Sequence, residues 1–211
     1  MNSATSLTST HIWGFIIGQL LFHHVDIECE EKTLTEYYFN IETTGIDFDK
    51  SEIITIQWQE LDRFTGKPMG RLNVLKRWES SEEQILKTFK PNLECYRWNF
   101  VFIGKNLFFD FCMLNERLKH FGLGEIDLRC LNDRVSLDIK PILVLINDGG
   151  FIGYEKLIPK TNPITGDMIP TFYRDGKYAE IIKYVEDEAN DFTKAYQILK
   201  KEIAPLRRLL K

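Results

Sequence analysis

The sequence predicts an α/β fold in which a mixed β-sheet is flanked by helices. Three strand-like segments come first in the chain, and a buried strand followed by a long amphipathic helix comes after them. Antiparallel strands followed by crossover helices combine into one mixed sheet with helices on its faces. A chain of 211 residues with 44% hydrophobic residues is long enough to fill the core of one such domain.

The antiparallel part of the sheet is predicted from three segments rich in β-forming residues. Residues 37–41 and 52–61 have the composition of strands, and the second is rich in β-branched side chains. A turn that contains Gly and Pro then leads to a returning strand at 71–78. Ser80 and Glu83, three residues apart, have the spacing of a capping box, so we expect a short helix to follow.

The second half of the chain supplies the crossover elements. Residues 99–104 are continuously apolar and end in glycine, which is typical of a buried central strand. Residues 107–121 have the periodicity of a helix, and 135–139 predict a further short strand. A long ordered loop with at most a short helix then leads to a long helix over 177–203, for which Asp175 is the predicted N-cap.

The predicted domain covers residues 37–203. Residues 1–36 form an N-terminal extension that packs on the domain, contacts a partner or simply precedes it. Its apolar run, residues 12–22, is too short to span a bilayer. A secretory signal would have a Lys or Arg before such a run, whereas the first basic residue of this chain is Lys32. Residues 204–211 form a basic C-terminal tail. We therefore expect a cytoplasmic protein without a membrane segment.

The charge and the cysteines exclude several classes of protein. A formal net charge of −4 disfavours a broad basic surface that coats nucleic acid. A polynucleotide would instead bind in a local groove, with bound cations supplying positive charge. The four cysteines are scattered without CxxC pairs or zinc-ligand spacing, so we expect reduced thiols and neither a disulfide framework nor structural zinc.

Two acidic residues are predicted at the ends of neighbouring elements. Glu42 lies at the end of the first strand, and Asp110 lies in the first turn of the helix that follows the buried strand. Carboxylates in such places suit a hard cation, because Mg²⁺ takes oxygen ligands and leaves positions for phosphate and water. Two such ions about 4 Å apart activate a water and stabilise the leaving oxygen of a phosphodiester.

The last predicted helix adds a third acidic residue. At roughly 100° per residue, Tyr184 and Glu188 lie along one flank of the apolar stripe, and Asp191 continues that flank. Asp187 points nearly opposite, towards solvent. The helical geometry therefore selects Glu188 as the acid that faces the body of the domain.

These three acidic segments together resemble a known family. FNIETTG (39–45), NLFFDF (106–111) at a helix start and YVEDE (184–188) in a late helix resemble, in order and spacing, the three motifs of the DEDD 3′–5′ exonuclease superfamily. Members of that superfamily have an RNase H-like fold. The tyrosine of the third segment is similar to the tyrosine-containing branch, which includes the exonuclease domains of family-B DNA polymerases. The resemblance covers about residues 37–200.

The resemblance implies an enzyme that removes nucleotides from the 3′ end of single-stranded DNA or RNA with two Mg²⁺ or Mn²⁺ ions. It implies a catalytic role for Glu42 and for Tyr184, which would orient the attacking water. The implied metal-ligand positions are Asn40, Glu42, Asp110 and Glu188. The expected nucleic-acid contacts are Thr43, Thr44, Gly45 and Asn106. Phe108 and Phe109 are expected to be core residues, although either could line the groove.

The sequence departs from the family pattern at two positions. Asn40 stands where the family has Asp, and an amide is a poor bridge between two dications because it is neutral and its nitrogen is a donor. Losing one transition-state stabiliser typically costs about 10²–10³ in rate, so we expect impaired activity. Glu188 replaces an Asp of the family, and its longer arm can still reach a metal. Asp138 either resembles an additional family aspartate or caps the segment that begins near Pro141.

Two rival hypotheses come from other classes. Asn40 is compatible with a non-catalytic nucleic-acid-binding module that retains the RNase H-like fold. The apolar part of residues 1–36 is compatible with docking on a protein partner from replication or DNA repair.

Overall fold

The computed structural model describes residues 34–94, 99–127, 135–150, 152–154, 157–159 and 163–205. Nearly all of the predicted N-terminal extension and most of the basic tail lie outside the described residues. The first strand begins at Thr35, slightly before the predicted start of the domain.

Five strands form one mixed sheet in the order β3-β2-β1-β4-β5. β1 (Thr35–Thr43) and β3 (Pro68–Lys76) each lie antiparallel to β2 (Ile53–Leu61), as hairpin-like connections require. β4 (Phe100–Gly104) lies parallel to β1, and β5 (Ser136–Asp138) lies parallel to β4. The predicted α/β class, a mixed sheet flanked by helices, is confirmed.

Helices cover both faces of this sheet. Their bounds are Glu82–Phe89 (α1), Leu107–His120 (α2), Lys140–Ile146 (α3), Ile169–Arg174 (α4) and Tyr178–Ile203 (α5). Because side chains alternate along a strand, Phe39 and Ile41 of β1 pack in the cluster with α1 and α2, whereas Tyr38 packs against α5. In the part of the chain that the structure describes, no helix is long and apolar enough to cross a membrane.

Two helix starts differ from their predictions by one or two residues. Ser81, not Ser80, caps α1, because its hydroxyl accepts the backbone N–H of Gln84 at 3.1 Å. Ser80 instead closes the preceding 3₁₀ turn. The N-cap position of α5 is Lys177 and not Asp175, because Asp175 is the C-cap of α4. In both cases, the residue predicted to cap the helix ends the preceding turn or helix instead.

A buried ion pair connects the two helices of one face with the sheet. Arg117 on α2 donates through two nitrogens to the two oxygens of Glu82 on α1, both at 2.8 Å. Glu82 also accepts the backbone N–H of Ile53 at the start of β2, at 2.7 Å. The paired geometry satisfies both charges in the interior, which is the condition under which buried charges are tolerated.

Candidate active site

Strand β1 presents a polar face to the candidate site. Tyr38, Asn40 and Glu42 alternate along it and therefore share one face. The antiparallel register places Gln57 opposite Asn40 and Thr55 opposite Glu42 on β2. Gln57 and Thr55 are fully buried and joined by a hydrogen bond of 2.9 Å between their side chains. These two buried polar side chains were not predicted from the sequence, although Thr and Gln at alternating positions of a β-branched strand are a visible signal of them.

The parallel register brings the end of β4 level with the middle of β1. Tyr38 pairs with Ile103, so the turn that starts α2 lies beside Asn40. Asp110, buried in the first turn of α2, accepts the backbone N–H of Ile41 at 3.0 Å. Its carboxylate therefore lies against the backbone between Asn40 and Glu42. The strand register, and not sequence proximity, unites the first two acidic segments.

Helix α5 brings Glu188 to the same place. The hydroxyl of Tyr154 donates to Glu188 Oε1 at 2.5 Å, and Lys105 Nζ lies 3.8 Å from that oxygen. Lys105 also lies over the Tyr154 ring, 5.0 Å from its centroid. Tyr184, one turn earlier on α5, is buried beside them.

The two alternative acids of α5 have other surroundings. Asp191 pairs with Lys194 at 3.2 Å. Asp187, which was predicted to point into solvent, is partly exposed. Glu188 is the acid of α5 that stands among the largest charge effects on the pKa of Glu42.

The three carboxylates act on one another electrostatically. Burial first, and then the negative charges of Glu188 and Asp110, raise the pKa of Glu42 to about 8. The Asn40 amide, which donates to Glu42 Oε1 at 3.0 Å, and the Lys105 ammonium both oppose the rise in this pKa. Burial likewise raises the pKa of Asp110 well above its usual range. The grouping of these three carboxyl groups therefore disfavours their ionisation, and a bound cation would offset that cost.

Tyr184 lies within the same field. Burial raises the pKa of its hydroxyl, and the charges of Glu42, Glu188 and Asp167 raise it further. Gly166, the first residue of a 3₁₀ turn, packs so closely that a Cβ there would lie 3.1 Å from the Tyr184 hydroxyl oxygen. The phenol is therefore neutral and suited to hydrogen bonding, not to acting as a base.

The three acids have suitable donor atoms for a metal ion, but they are not arranged as a complete metal site. All three acids offer oxygen atoms, which suit Mg²⁺ or Mn²⁺. Among the described residues, however, no group of three His, Cys, Asp or Glu side chains is gathered into a ready metal site. One oxygen of each carboxylate instead accepts a protein donor, from Asn40, Ile41 or Tyr154. The residues fit a hard cation by donor type and charge, without forming a closed ligand shell.

Two further buried groups border this site. The Tyr38 hydroxyl and the Gln57 amide nitrogen have no hydrogen-bond partner within the described part of the chain. Tyr38 lies close enough to the acids that the charges of Glu188 and Glu42 raise its pKa beyond the effect of burial. Buried polar groups are normally paired, so these two atoms are exceptions, and both lie next to the acids.

Asp138 caps two helices. Its carboxylate accepts the backbone N–H groups of Asn106 at 2.8 Å, Leu107 at 3.0 Å and Lys140 at 2.9 Å. Of the two predicted alternatives, these contacts match the capping role. The Asp138 charge also contributes to the raised pKa of Asp110, so the cap lies near the acids.

The turn after β1 is held by its own hydroxyls. Thr43 Oγ1 donates to the Gly45 carbonyl at 2.6 Å, and Thr44 Oγ1 accepts the Glu52 N–H at 2.9 Å. A Cβ at Gly45 would lie 2.9 Å from Ser51 Oγ, so a side chain at this position would have to displace the Ser51 hydroxyl. The sharp turn expected at this place is present.

The aromatic pair on α2 has two different environments. Phe109 packs against Phe48, with ring centroids 5.6 Å apart. Phe108 is 74% exposed, so its expected place in the core is wrong. It projects from the first turn of α2, two residues before Asp110.

Sequence reasoning missed Lys105 and Tyr154 as members of the site. Lys105 stands directly before Asn106 in the second motif, so its position was readable from the sequence. Tyr154 comes from the long loop, where no periodicity marks a buried residue.

Known proteins resemble this chain only weakly in sequence and structure. No family model and no curated protein matches the sequence. Among solved structures, a product-bound exonuclease I matches with a TM-score of 0.45 and 11% identity over 67% of this chain and 42% of that chain. E. coli exonuclease I with a dA16 oligonucleotide matches with a TM-score of 0.41 and 10% identity, over 55% of this chain and 30% of that chain. The chain thus spans less than half the length of these proteins, and likeness at this level does not assign an activity.

Proposed function

We propose that the chain is a 3′–5′ exonuclease-like domain that hydrolyses single-stranded DNA or RNA from its 3′ end, and that Asn40 impairs it. The observation that supports this is the position of Glu42, whose pKa is raised by burial and by two other acids from distant parts of the chain. Structural carboxylates are normally paired with cations, whereas uncompensated acidic groups gather where a metal or a proton is handled.

The proposed roles follow from the contacts. Glu42, Asp110 and Glu188 would hold one or two Mg²⁺ or Mn²⁺ ions, which supply an activated water and stabilise the leaving oxygen. Tyr184, kept neutral by burial and neighbouring charge, would orient the attacking water. To bind an ion, Glu188 would exchange its contact with Lys105 for a metal ligand role.

Asn40 accounts for the proposed impairment. Its amide nitrogen donates to Glu42 Oε1, so it ties up one ligand oxygen and contributes no charge itself. Aspartate at this position would add a charge beside Glu42 and remove that donor. Thr43, Thr44, Gly45 and Asn106 border the same edge of the sheet and are the proposed nucleic-acid contacts.

The test is cleavage of a 5′-labelled single-stranded oligonucleotide with Mn²⁺ by the natural sequence and by Asn40→Asp. We expect a ladder that shortens from the 3′ end with Asn40→Asp and at least about 10²-fold slower cleavage by the chain as given. Asn40→Asp combined with Glu42→Gln is the matched control and should be inactive. No cleavage and no Mn²⁺ binding by Asn40→Asp would refute the proposal.

A second candidate function is a non-catalytic nucleic-acid-binding module. The observation that favours it is that protein donors already satisfy the acids: Asn40 bonds Glu42, and Tyr154 and Lys105 contact Glu188. This function predicts oligonucleotide binding that EDTA does not change, together with no cleavage by Asn40→Asp.

A further inference from the structure

A pocket of about 330 Å³ adjoins the acidic site on the side of Lys105. Lys105, Asn106 and Lys140 form its polar rim, and Leu143, Val144 and Ile152 form an apolar wall. Its volume lies at the lower end of the range of about 300–1,000 Å³ that small ligands occupy. The pocket therefore combines a charged end with an apolar end.

Hydrogen bonds hold the polar rim of the pocket in place. Asp138 accepts N–H groups from the starts of both α2 and α3, so it fixes the two turns that carry Lys105 and Lys140. Lys140 Nζ donates to Asn106 Oδ1 at 2.7 Å, and Asn106 adopts a left-handed backbone with φ of 69°. A non-glycine residue in that conformation is uncommon and is typically held by its surroundings.

The charge of the pocket contrasts with that of the chain. Two lysines and no acidic residue line it within the described segments, although the chain has a net charge of −4. Lys105 Nζ lies 3.8 Å from Glu188 Oε1, so one wall of the pocket reaches the acidic site itself. An anion in the pocket would thus be adjacent to the place where cations are proposed to bind.

We propose that this pocket is a nucleotide subsite in which Lys105 and Lys140 bind a phosphate and the apolar wall of Leu143, Val144 and Ile152 receives the sugar or base. The subsite rests on the proposed function, since it places a phosphate beside the acidic site. Lysine binds phosphate as a point charge, and an apolar wall suits the face of any base without sequence preference. The phosphate belongs either to a terminal nucleotide or to the backbone of a longer strand.

The test measures binding in EDTA, so that hydrolysis plays no part. Fluorescence anisotropy of labelled dT10 reports on the strand, and competition by dTMP against thymidine reports on a single phosphate. Loss of one phosphate contact lowers the salt slope by about 0.7, which corresponds to about five-fold weaker binding at about 0.1 M salt. We expect this loss with Lys140→Gln.

Two variants control for folding and for general charge. Lys140→Arg keeps the charge and should bind within about two-fold of the natural chain, because guanidinium also binds phosphate. Lys87→Gln removes an exposed lysine on α1 that pairs with Glu83, and it should leave binding unchanged.

Each result decides the assignment. Weaker binding of both dT10 and dTMP by Lys140→Gln assigns the pocket to a terminal nucleotide, and weaker binding of dT10 alone assigns it to a backbone phosphate. Unchanged affinity and salt slope for both ligands overturn the subsite. Because cleavage by Asn40→Asp is measured separately, the subsite can fail while the exonuclease proposal stands, and the reverse.

Discussion

Replacing Glu42 by Gln removes an ionisable group that the fold keeps largely protonated. Burial and the charges of Glu188 and Asp110 raise its pKa from 4.5 to about 8. Glutamine is nearly isosteric and neutral at every pH. We therefore expect Glu42→Gln to be more stable than the natural chain at alkaline pH and nearly equal to it at acidic pH.

The magnitude follows from proton linkage. Since the pKa of Glu42 is higher in the folded than in the unfolded chain, the folded chain binds more protons between pH 4.5 and about 8. The stability associated with this group is therefore fully present below the lower value and is lost as the pH rises through the upper one. Each pKa unit is worth about 1.36 kcal/mol, so the whole interval corresponds to at most about 5 kcal/mol. We expect a measured difference of about 2–5 kcal/mol.

The assay is urea unfolding in EDTA at pH 5, 6.5 and 8.5, for the natural chain and for Glu42→Gln. The natural chain should lose free energy of unfolding relative to the variant as the pH rises. Glu83→Gln, at an exposed position of α1, is the control and should run parallel to the natural chain. Parallel curves for Glu42→Gln as well would refute the inference that Glu42 is buried among like charges.

Two further predictions concern stability, both measured by urea unfolding. Arg117→Met leaves the buried Glu82 carboxylate without its cation and should cost about 3–5 kcal/mol, since an unpaired buried charge is strongly destabilising. Equal stability would show that this pair is solvated. Gly66→Ala and Gly70→Ala both place a side chain on a left-handed backbone, with φ of 72° and 84°. Gly66→Ala should cost more, because its Cβ would also lie 2.9 Å from the Tyr196 ring, and equal losses would contradict this contact.

The elements that sequence predicted well are those whose signal is long or continuous. Helix α5 shows its apolar stripe over many turns, and β4 is a continuous apolar run, so both were found with nearly correct bounds. The choice of Ser81 over Ser80 depended on a preceding 3₁₀ turn that local spacing does not reveal. Phe108 is apolar by composition, yet the helix start turns it outward.

In the candidate site too, local sequence patterns located some residues, whereas other contacts are visible only in the folded chain. Glu42 and Asp110 could be placed from element ends, because strand ends and helix starts are marked in the sequence. The hydrogen bond that the Ile41 N–H donates to Asp110 depends on the parallel register of β1 and β4, which no local pattern contains. Tyr154 reaches Glu188 from an irregular loop, so only the folded chain reveals it.

The contacts of the acids also explain why Asn40 and the proposed cation should be linked. The Asn40 amide and the Lys105 ammonium both lower the pKa of Glu42, so both partly offset the charge that a metal would neutralise. Asn40→Asp exchanges one of these favourable groups for another negative charge. Without a divalent cation, that exchange increases repulsion around Glu42; with one, it adds a ligand. Recovery of cleavage and dependence of stability on the cation should therefore appear together in the same variant, because one carboxylate causes both.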